Sequence, residues 1–153
     1  MAGMQGLGRV FDVVPIASGA GLSLKNASAV TFVLTGATGV ATLSIATSFG
    51  GTYRAGSFFT PAWAPITTVY WSTATDGSVA WAKATITAAA TFTNGTTAGL
   101  TTSTNSVFTV FGSQLPDLYD YVKCTATGSG LCTAILHDLT VQRTPANMVK
   151  LGA

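Results

Sequence analysis

A chain of 153 residues suits a single domain, long enough to bury a core without metal or disulfide bridges. Its residues are 48% apolar and only 8% charged, about one in six is threonine, and glutamate is absent, so charge protects the surface weakly and we expect partners to cover much of it. Seven scattered basic residues and a net charge of +2 argue against nucleic-acid binding, and no apolar run reaches the roughly 18 residues of a membrane helix.

The N-terminal segment MAGMQGLGRVF is rich in glycine and contains no apolar core typical of a secretory signal. We therefore expect a protein that is made in the cytoplasm. Residues 1–11 are interpreted as an N-terminal arm. Met4 and Leu7 are its candidate partner contacts, because solvated tails usually lack large apolar side chains.

Two pairs of strands are predicted in the first half of the chain. Residues 29–35 (AVTFVLT) and 40–47 (VATLSIAT) are rich in β-branched residues and are joined by GATG, which predicts a hairpin. Residues 66–73 (ITTVYWST) and 78–86 (SVAWAKATI) flank an Asp-Gly turn and predict a second hairpin.

The segment between these pairs, residues 48–65, has no clean periodicity and is predicted to be a long ordered loop. Its aromatic residues either cap the domain or form a contact surface, since aromatic side chains dominate both cores and interfaces. Phe58, Phe59 and Trp63 are therefore candidate partner contacts.

The second half of the chain continues the strand pattern. Strands are predicted at 89–93, at 106–112 and, as a third hairpin around Gly128 and Gly130, in LYDYVKCTAT and LCTAILHDLTVQR. No segment holds a helical period for three turns. We predict an all-β single domain over residues 12–143, folded as a two-layer β-sandwich or a jelly-roll-like barrel.

His137 is the only histidine and stands beside Asp138. If this segment is a strand, alternation places the two side chains on opposite sides of the sheet, where they cannot form the His-Asp couple of general-base catalysis. The pattern favours a satisfied histidine among core aliphatic residues. The remaining four acids lie in turns or on strand surfaces, so we expect no catalytic residues and no enzyme activity.

Cys124 and Cys132 flank the TGSG turn. One histidine and two cysteines do not complete a metal site, so neither a metal nor another cofactor is expected. In a protein assembled in the cytosol the two cysteines are more often thiols than a disulfide. Whether they are bridged is left open.

The chain ends in TPANMVKLGA, where Pro145 cannot continue a central strand. Residues 144–153 are interpreted as a C-terminal arm, too short to pack alone. Pro145, Met148 and Leu151 are its candidate partner contacts.

Two motifs near the C-terminus, Y-x-Y-V at 119–122 and A-I-L-H-D-L-x-V-Q-R-x-P-A-N at 134–147, resemble a group of small virion proteins of tailed bacteriophages encoded among the head genes. The resemblance extends over residues 29–148 and is loose at 48–65 and 94–105. It implies a decoration or minor capsid protein on the capsid surface, with the major capsid protein and copies of itself as partners. It carries over no functional residues.

Two alternatives to a capsid role remain. One is a tail or connector structural protein. The other is a binding module displayed on the virion, for example one that binds carbohydrate, with Tyr53, Phe58, Phe59 and Trp63 stacked on sugar rings.

Deletion of residues 144–153, or separately of 1–9, is expected to lower occupancy on particles while leaving the thermal stability of the free protein unchanged. The physical reason is that the arms lose chain entropy on docking. Burial of their apolar side chains offsets this cost with a free energy of about 25 cal/mol per Å². Unchanged occupancy with both deletions would contradict the arm hypothesis. A large loss of free-protein stability would instead assign the arms to the domain's own core.

Overall fold

The computed structural model describes residues 12–16, 19–36, 39–74, 78–95, 97–100, 104–127 and 131–138, the first of these as backbone only. The five arm residues proposed as partner contacts lie outside these ranges. They are Met4, Leu7, Pro145, Met148 and Leu151.

Short strands make up most of the described chain. They are β1 (Asp12–Ile16), β2 (Gly21–Ser23), β3 (Ala29–Thr35), β4 (Val40–Ala46), β5 (Arg54–Ala55), β6 (Ile66–Ser72), β7 (Ala82–Ala89), β8 (Thr91–Thr93), β9 (Asn105–Phe111), β10 (Tyr121–Ala126) and β11 (Leu131–His137). Single 3-10 turns follow β5 and β9, at Gly56–Phe58 and Gly112–Gln114. The described ranges contain no α-helix, and hence no helix that could cross a membrane.

The strands form two antiparallel sheets that pack face to face. The six-stranded sheet has the order β1-β11-β3-β9-β6-β7, and the five-stranded sheet has the order β2-β10-β4-β5 with β8 also paired to β4. The all-β prediction is confirmed. Both sheets are open, so the sandwich is correct and the closed barrel is not formed.

One of the three predicted hairpins is confirmed and two are wrong. β6 pairs with β7 as predicted, and the Asp-Gly dipeptide between them lies outside the described residues. However, β3 and β4 lie in different sheets, and so do β10 and β11. The error has a physical cause: strands on either side of a crossing bury alternate residues in the same core, so their sequence pattern is that of a hairpin.

Where they join the five-stranded sheet, the two crossings are hydrogen bonded to each other through Val40 and Thr127. The Val40 amide donates to the Thr127 hydroxyl at 2.9 Å, and the Thr127 amide donates to the Val40 carbonyl at 3.0 Å. A side chain at Gly39 would collide with the Thr127 carbonyl, so this approach requires glycine. The β3/β11 pair therefore lies over the β4/β10 pair, and the core fills the space between them.

Three phenylalanines span the core from one sheet to the other. Phe108 of β9 lies 5.5 Å from Phe32 of β3 and 5.2 Å from Phe92 of β8, measured between ring centroids. All three rings are at most 2% exposed. Phe108 and Val110 alternate with Val107 and Thr109 along β9, and the side that they share is the core.

Replacing Phe108 with alanine is expected to lower the free energy of unfolding by about 3 to 5 kcal/mol, because it removes contacts to both other rings and leaves a cavity. Phe111→Ala is the matched control on the same strand, since its ring is 52% exposed. Its expected cost is about 1 kcal/mol or less. Urea unfolding of both variants checks this, and equal costs would contradict the assignment of Phe108 to the core.

Candidate functional site

His137 lies on the outer side of the six-stranded sheet, not in the core. The buried residues of β11 are Cys132, Ala134 and Leu136, so the alternate position of His137 faces outward and its ring is partly exposed. The prediction of a histidine among core aliphatic residues is therefore wrong. The alternation of side chains along the strand was predicted correctly. The two faces of the strand are equally apolar, however, so the sequence does not show which one is buried.

Asp138 lies on the same side as His137, which corrects the prediction of opposite sides. The strand ends at His137, and Asp138 takes φ = 50°, a left-handed conformation that aspartate tolerates better than most residues. The change in backbone direction brings both side chains to one pocket of about 430 Å³. We name this the β11-end pocket; its lining residues are Ser28, Ala29, Thr31, Thr109, Phe111, His137 and Asp138.

Hydrogen bonds connect the polar side chains of the β11-end pocket. Thr31 Oγ1 lies 2.7 Å from His137 Nε2 and 2.8 Å from Thr109 Oγ1. The Ser28 hydroxyl donates to Asp138 Oδ2 at 2.9 Å. Phe111 adds a half-exposed ring. The pocket therefore offers hydroxyls, an imidazole, a carboxylate and an aromatic face, which suits a small polar ligand.

A hydroxyl hydrogen bonded to an imidazole is also the geometry of an activated nucleophile, and Thr31 and His137 have this geometry. Thr31 shares its hydroxyl with Thr109 as well. Its strand, β3, is paired on both sides, with β11 and β9, so its backbone amides serve the sheet and not an oxyanion. This arrangement favours binding over acyl transfer, and the absence of enzyme activity stays a prediction.

His137 stands out in the sequence as the only histidine. Nothing singles out Ser28, Thr31 and Thr109, which line the same pocket. Thr31 is 106 residues away in the chain, and only the pairing of β3 with β11 brings the two together. The residues are ordinary strand threonines and a loop serine. No local pattern distinguishes them from the other hydroxyl residues of this chain.

A wide area of the six-stranded sheet faces outward beside the pocket. Its centre consists of partly exposed side chains on adjacent strands, and we name it the open face: Thr31, Val33, Val107, Thr109, Thr133 and Ile135. More exposed apolar side chains surround it, with Tyr70 at 47% and Leu131 at 76%. None of the six side chains of the open face is charged, and the charged residues Lys83, opposite Tyr70 on edge strand β7, and Asp138, in the β11-end pocket, lie beside it.

The outer surface of the five-stranded sheet carries charged side chains, and two of its lysines lie over tyrosine rings of the same surface. Lys123 lies 4.5 Å from the centroid of the Tyr53 ring, and Lys25 lies 5.5 Å from that of Tyr121. Lys25 also forms a surface ion pair of 3.8 Å with Asp120. Burial raises the pKa of Tyr53, with a smaller contribution from Tyr121. The outer surface of the five-stranded sheet therefore carries charged side chains, whereas on the six-stranded sheet they border the open face without being part of it.

The aromatic loop is divided between capping and exposure. Trp63 is 7% exposed and donates its indole N–H to the Gln114 carbonyl at 2.7 Å. Phe59 packs edge-on against Tyr119 at 5.2 Å. Phe58 is 56% exposed, but the Arg54 guanidinium lies 4.3 Å from its ring centroid. Of the three candidate contact residues in this loop, only Phe58 has a ring that is more than half exposed.

Cys124 and Cys132 belong to different sheets, and both point into the core. Both are free thiols and both are buried. A hydrogen bond between them holds the pKa of Cys124 above, and that of Cys132 below, the ordinary value of a thiol. Across the described ranges, no three His, Cys, Asp or Glu side chains come together in a way that could hold a metal ion.

Comparisons with protein-family models, with curated proteins and with solved structures found no match to this chain.

Replacing Thr31 with valine is expected to cost about 1 kcal/mol of unfolding free energy, because His137 and Thr109 lose a shared partner in a partly buried site. Thr133→Val is the matched control on the same face, where the described residues provide no side-chain hydrogen bond, and it is expected to be close to neutral. Urea unfolding of the two variants gives the comparison. Equal costs would show that the hydroxyl network is not stabilising.

Proposed function

We propose that this protein is a structural component of a tailed-phage particle, which attaches to the capsid shell through the open face. The observation that carries the proposal is the unequal charge of the two outer surfaces. Lys25, Arg54, Asp120 and Lys123 surround the five-stranded sheet, whereas the open face has no charged side chain. The resemblance of residues 119–122 and 134–147 to small virion proteins supports the same role.

The open face suits a permanent contact between proteins. Its β-branched side chains have few rotamers, so ordering them in an interface costs little entropy. None of its six side chains is charged, so covering them removes no charge from water and avoids a main cost of burying a polar surface. Tyr70 and Phe111, at its margins, are of the aromatic type that contributes most to binding energy in interfaces.

The proposed occupant of the open face is the major capsid protein of the shell. Neighbouring copies of this protein on the shell are proposed as further partners. The arms at 1–11 and 144–153 are proposed to extend to them. In this proposal the protein decorates or cements assembled particles and is found on the capsid surface. A tail or connector position would place the same face on a different virion protein.

The proposal is tested by adding purified protein to particles that lack it and measuring bound copies per particle. Val33→Lys places a charge at the centre of the open face, next to Val107 and Thr133. An uncompensated buried charge costs about 3 kcal/mol or more, so affinity is expected to fall by roughly a hundredfold. A particle reconstruction then shows which surface of the protein meets the shell.

Thr42→Lys is the matched control. Thr42 is a partly exposed residue on a central strand of the other sheet, with its side chain also directed outward. The variant is expected to bind like the unaltered protein, and both variants are expected to keep the unfolding midpoint within a few degrees. Normal binding of Val33→Lys would overturn attachment through the open face, and no binding of any form to particles would overturn the virion role.

Carbohydrate binding is the second candidate, and the β11-end pocket is the observation that favours it. The aromatic loop does not offer the open platform this function requires, because Trp63 is buried and Phe59 is packed against Tyr119. In the β11-end pocket, Phe111 could stack on a sugar ring while Asp138 accepts hydrogen bonds from its hydroxyls.

A glycan titration separates the two candidates. Saturable binding of a sugar that Phe111→Ala and Asp138→Asn abolish, while Val33→Lys leaves it intact, would favour the carbohydrate function. Binding to assembled capsids alone would favour the structural one.

A further inference from the structure

Leu118 has a backbone conformation and an environment that both disfavour leucine. The Tyr119 amide donates to the Pro116 carbonyl at 3.1 Å, which closes a tight turn with Leu118 in its third position. Leu118 has φ = 73° there, a conformation that suits glycine or asparagine and strains a leucine. Its side chain is 82% exposed, the highest value among the large apolar side chains that the structure describes. Backbone strain at a protruding apolar residue is typical of a position with a function.

An apolar pocket of about 490 Å³ lies beside this turn. Seven of its nine lining residues are apolar, and we name it the proline pocket after Pro61, Pro65 and Pro116 in its lining. The Trp63 indole donates to the Gln114 carbonyl, and the Gln114 side chain bonds to two backbone groups of the protein itself. Since these polar groups are already paired, the pocket suits an apolar side chain better than a polar ligand.

Leu118 and the proline pocket lie next to each other at one end of the sandwich. Pro116 begins the turn and also lines the pocket. Tyr119, which follows Leu118, packs edge-on at 5.2 Å against Phe59, another lining residue. A protruding apolar side chain beside an apolar pocket is complementary to a second copy related by a two-fold axis, because each copy then inserts its leucine and receives the other one.

The charged side chains beside these two features have opposite signs. Asp117 precedes Leu118 in the turn. On the pocket side, the Arg54 guanidinium lies 4.3 Å from the Phe58 ring centroid, and Phe58 packs against Phe59 of the pocket lining at 5.4 Å. Neither Asp117 nor Arg54 forms an ion pair with another described residue. A two-fold contact through Leu118 therefore brings a carboxylate of one copy toward a guanidinium of the other.

We propose that this end of the sandwich is a self-association surface, at which two copies of this chain form a symmetric dimer. Leu118 of each copy occupies the proline pocket of the other, and Asp117 pairs with Arg54 across the interface. Such marginal ion pairs add little energy but select the partner and its orientation. No residue that lines the proline pocket belongs to the open face, so the dimer goes beyond the proposed attachment role and does not depend on it.

Sedimentation equilibrium of the full-length protein, from micromolar to millimolar concentration, tests the dimer. Leu118→Gly removes both inserted side chains and suits the positive φ. The dimer is therefore expected to weaken by roughly a hundredfold, while the melting temperature in dilute solution stays within a few degrees. Leu131→Ala is the matched control, because Leu131 is 76% exposed and lies at the other end of the six-stranded sheet, paired with Thr35. Its self-association is expected to be unchanged.

Charge reversal tests which residues face each other. Asp117→Arg and Arg54→Asp are each expected to weaken the dimer by roughly tenfold, because each variant alone brings like charges together. An equimolar mixture of the two variants is expected to form a heterodimer and to restore association, because both of its ion pairs then join opposite charges.

Three results would overturn the proposal. The first is a protein that stays monomeric at millimolar concentration, and the second is an equal loss of association with Leu118→Gly and Leu131→Ala. The third is a mixture of the charge-reversed variants that associates no better than either variant alone, a result that is decisive even if Leu118→Gly does not fold. Growth beyond two copies would also contradict a symmetric dimer, since a two-fold contact closes on itself.

Discussion

The contact of Val40 with Thr127 joins the two places where the chain passes between the sheets. The open face and the β11-end pocket depend on this arrangement of the strands. The contact continues the β4/β10 pairing up to the point where both chain segments pass to the other sheet, in which β3 and β11 pair with each other. Thr31 and His137 share an outer surface through the β3/β11 pairing, while both cysteines lie in the core. A side chain at Gly39 would collide with Thr127 and push the two crossings apart. A glycine that takes no part in the β11-end pocket therefore helps to hold the strands that form it.

Scarcity of charge has different consequences on the two sides of the sandwich. Around the five-stranded sheet, Lys25 and Lys123 lie over tyrosine rings, and Arg54 lies over Phe58, so their stems and charges cover apolar surface. On the six-stranded sheet, threonine and valine form the surface instead. A threonine hydroxyl keeps such a face hydrated when it is free, yet it is far less costly to cover than a charge. This difference supports an assembly role more strongly than the composition of the whole chain does.

The sequence predicted the class of the fold because period-2 alternation is a local property of each strand. It predicted the β6/β7 hairpin, because an Asp-Gly dipeptide between two β-rich segments is a strong hairpin signal. It could not predict the crossings, because both sheets share one core. It also could not choose the buried side of β11, since Ile135 and Leu136 are equally apolar and the tertiary pairing decides. The β11-end pocket was out of reach for a further reason: Asp138 turns out of the strand through a left-handed conformation that alternation does not describe.

The place of β11 in its sheet imposes an order on folding. β11 is inserted between β1 and β3, two strands from the first quarter of the chain. Until residue 137 has been synthesised, β1 has no neighbour in the sheet and β3 presents an unpaired edge. Pairing of this sequence separation is slow, because a long loop must close before any contact rewards it. During synthesis the nascent chain therefore carries an adhesive strand edge, which makes the rate of translation and the protection of that edge part of what determines the yield of folded protein.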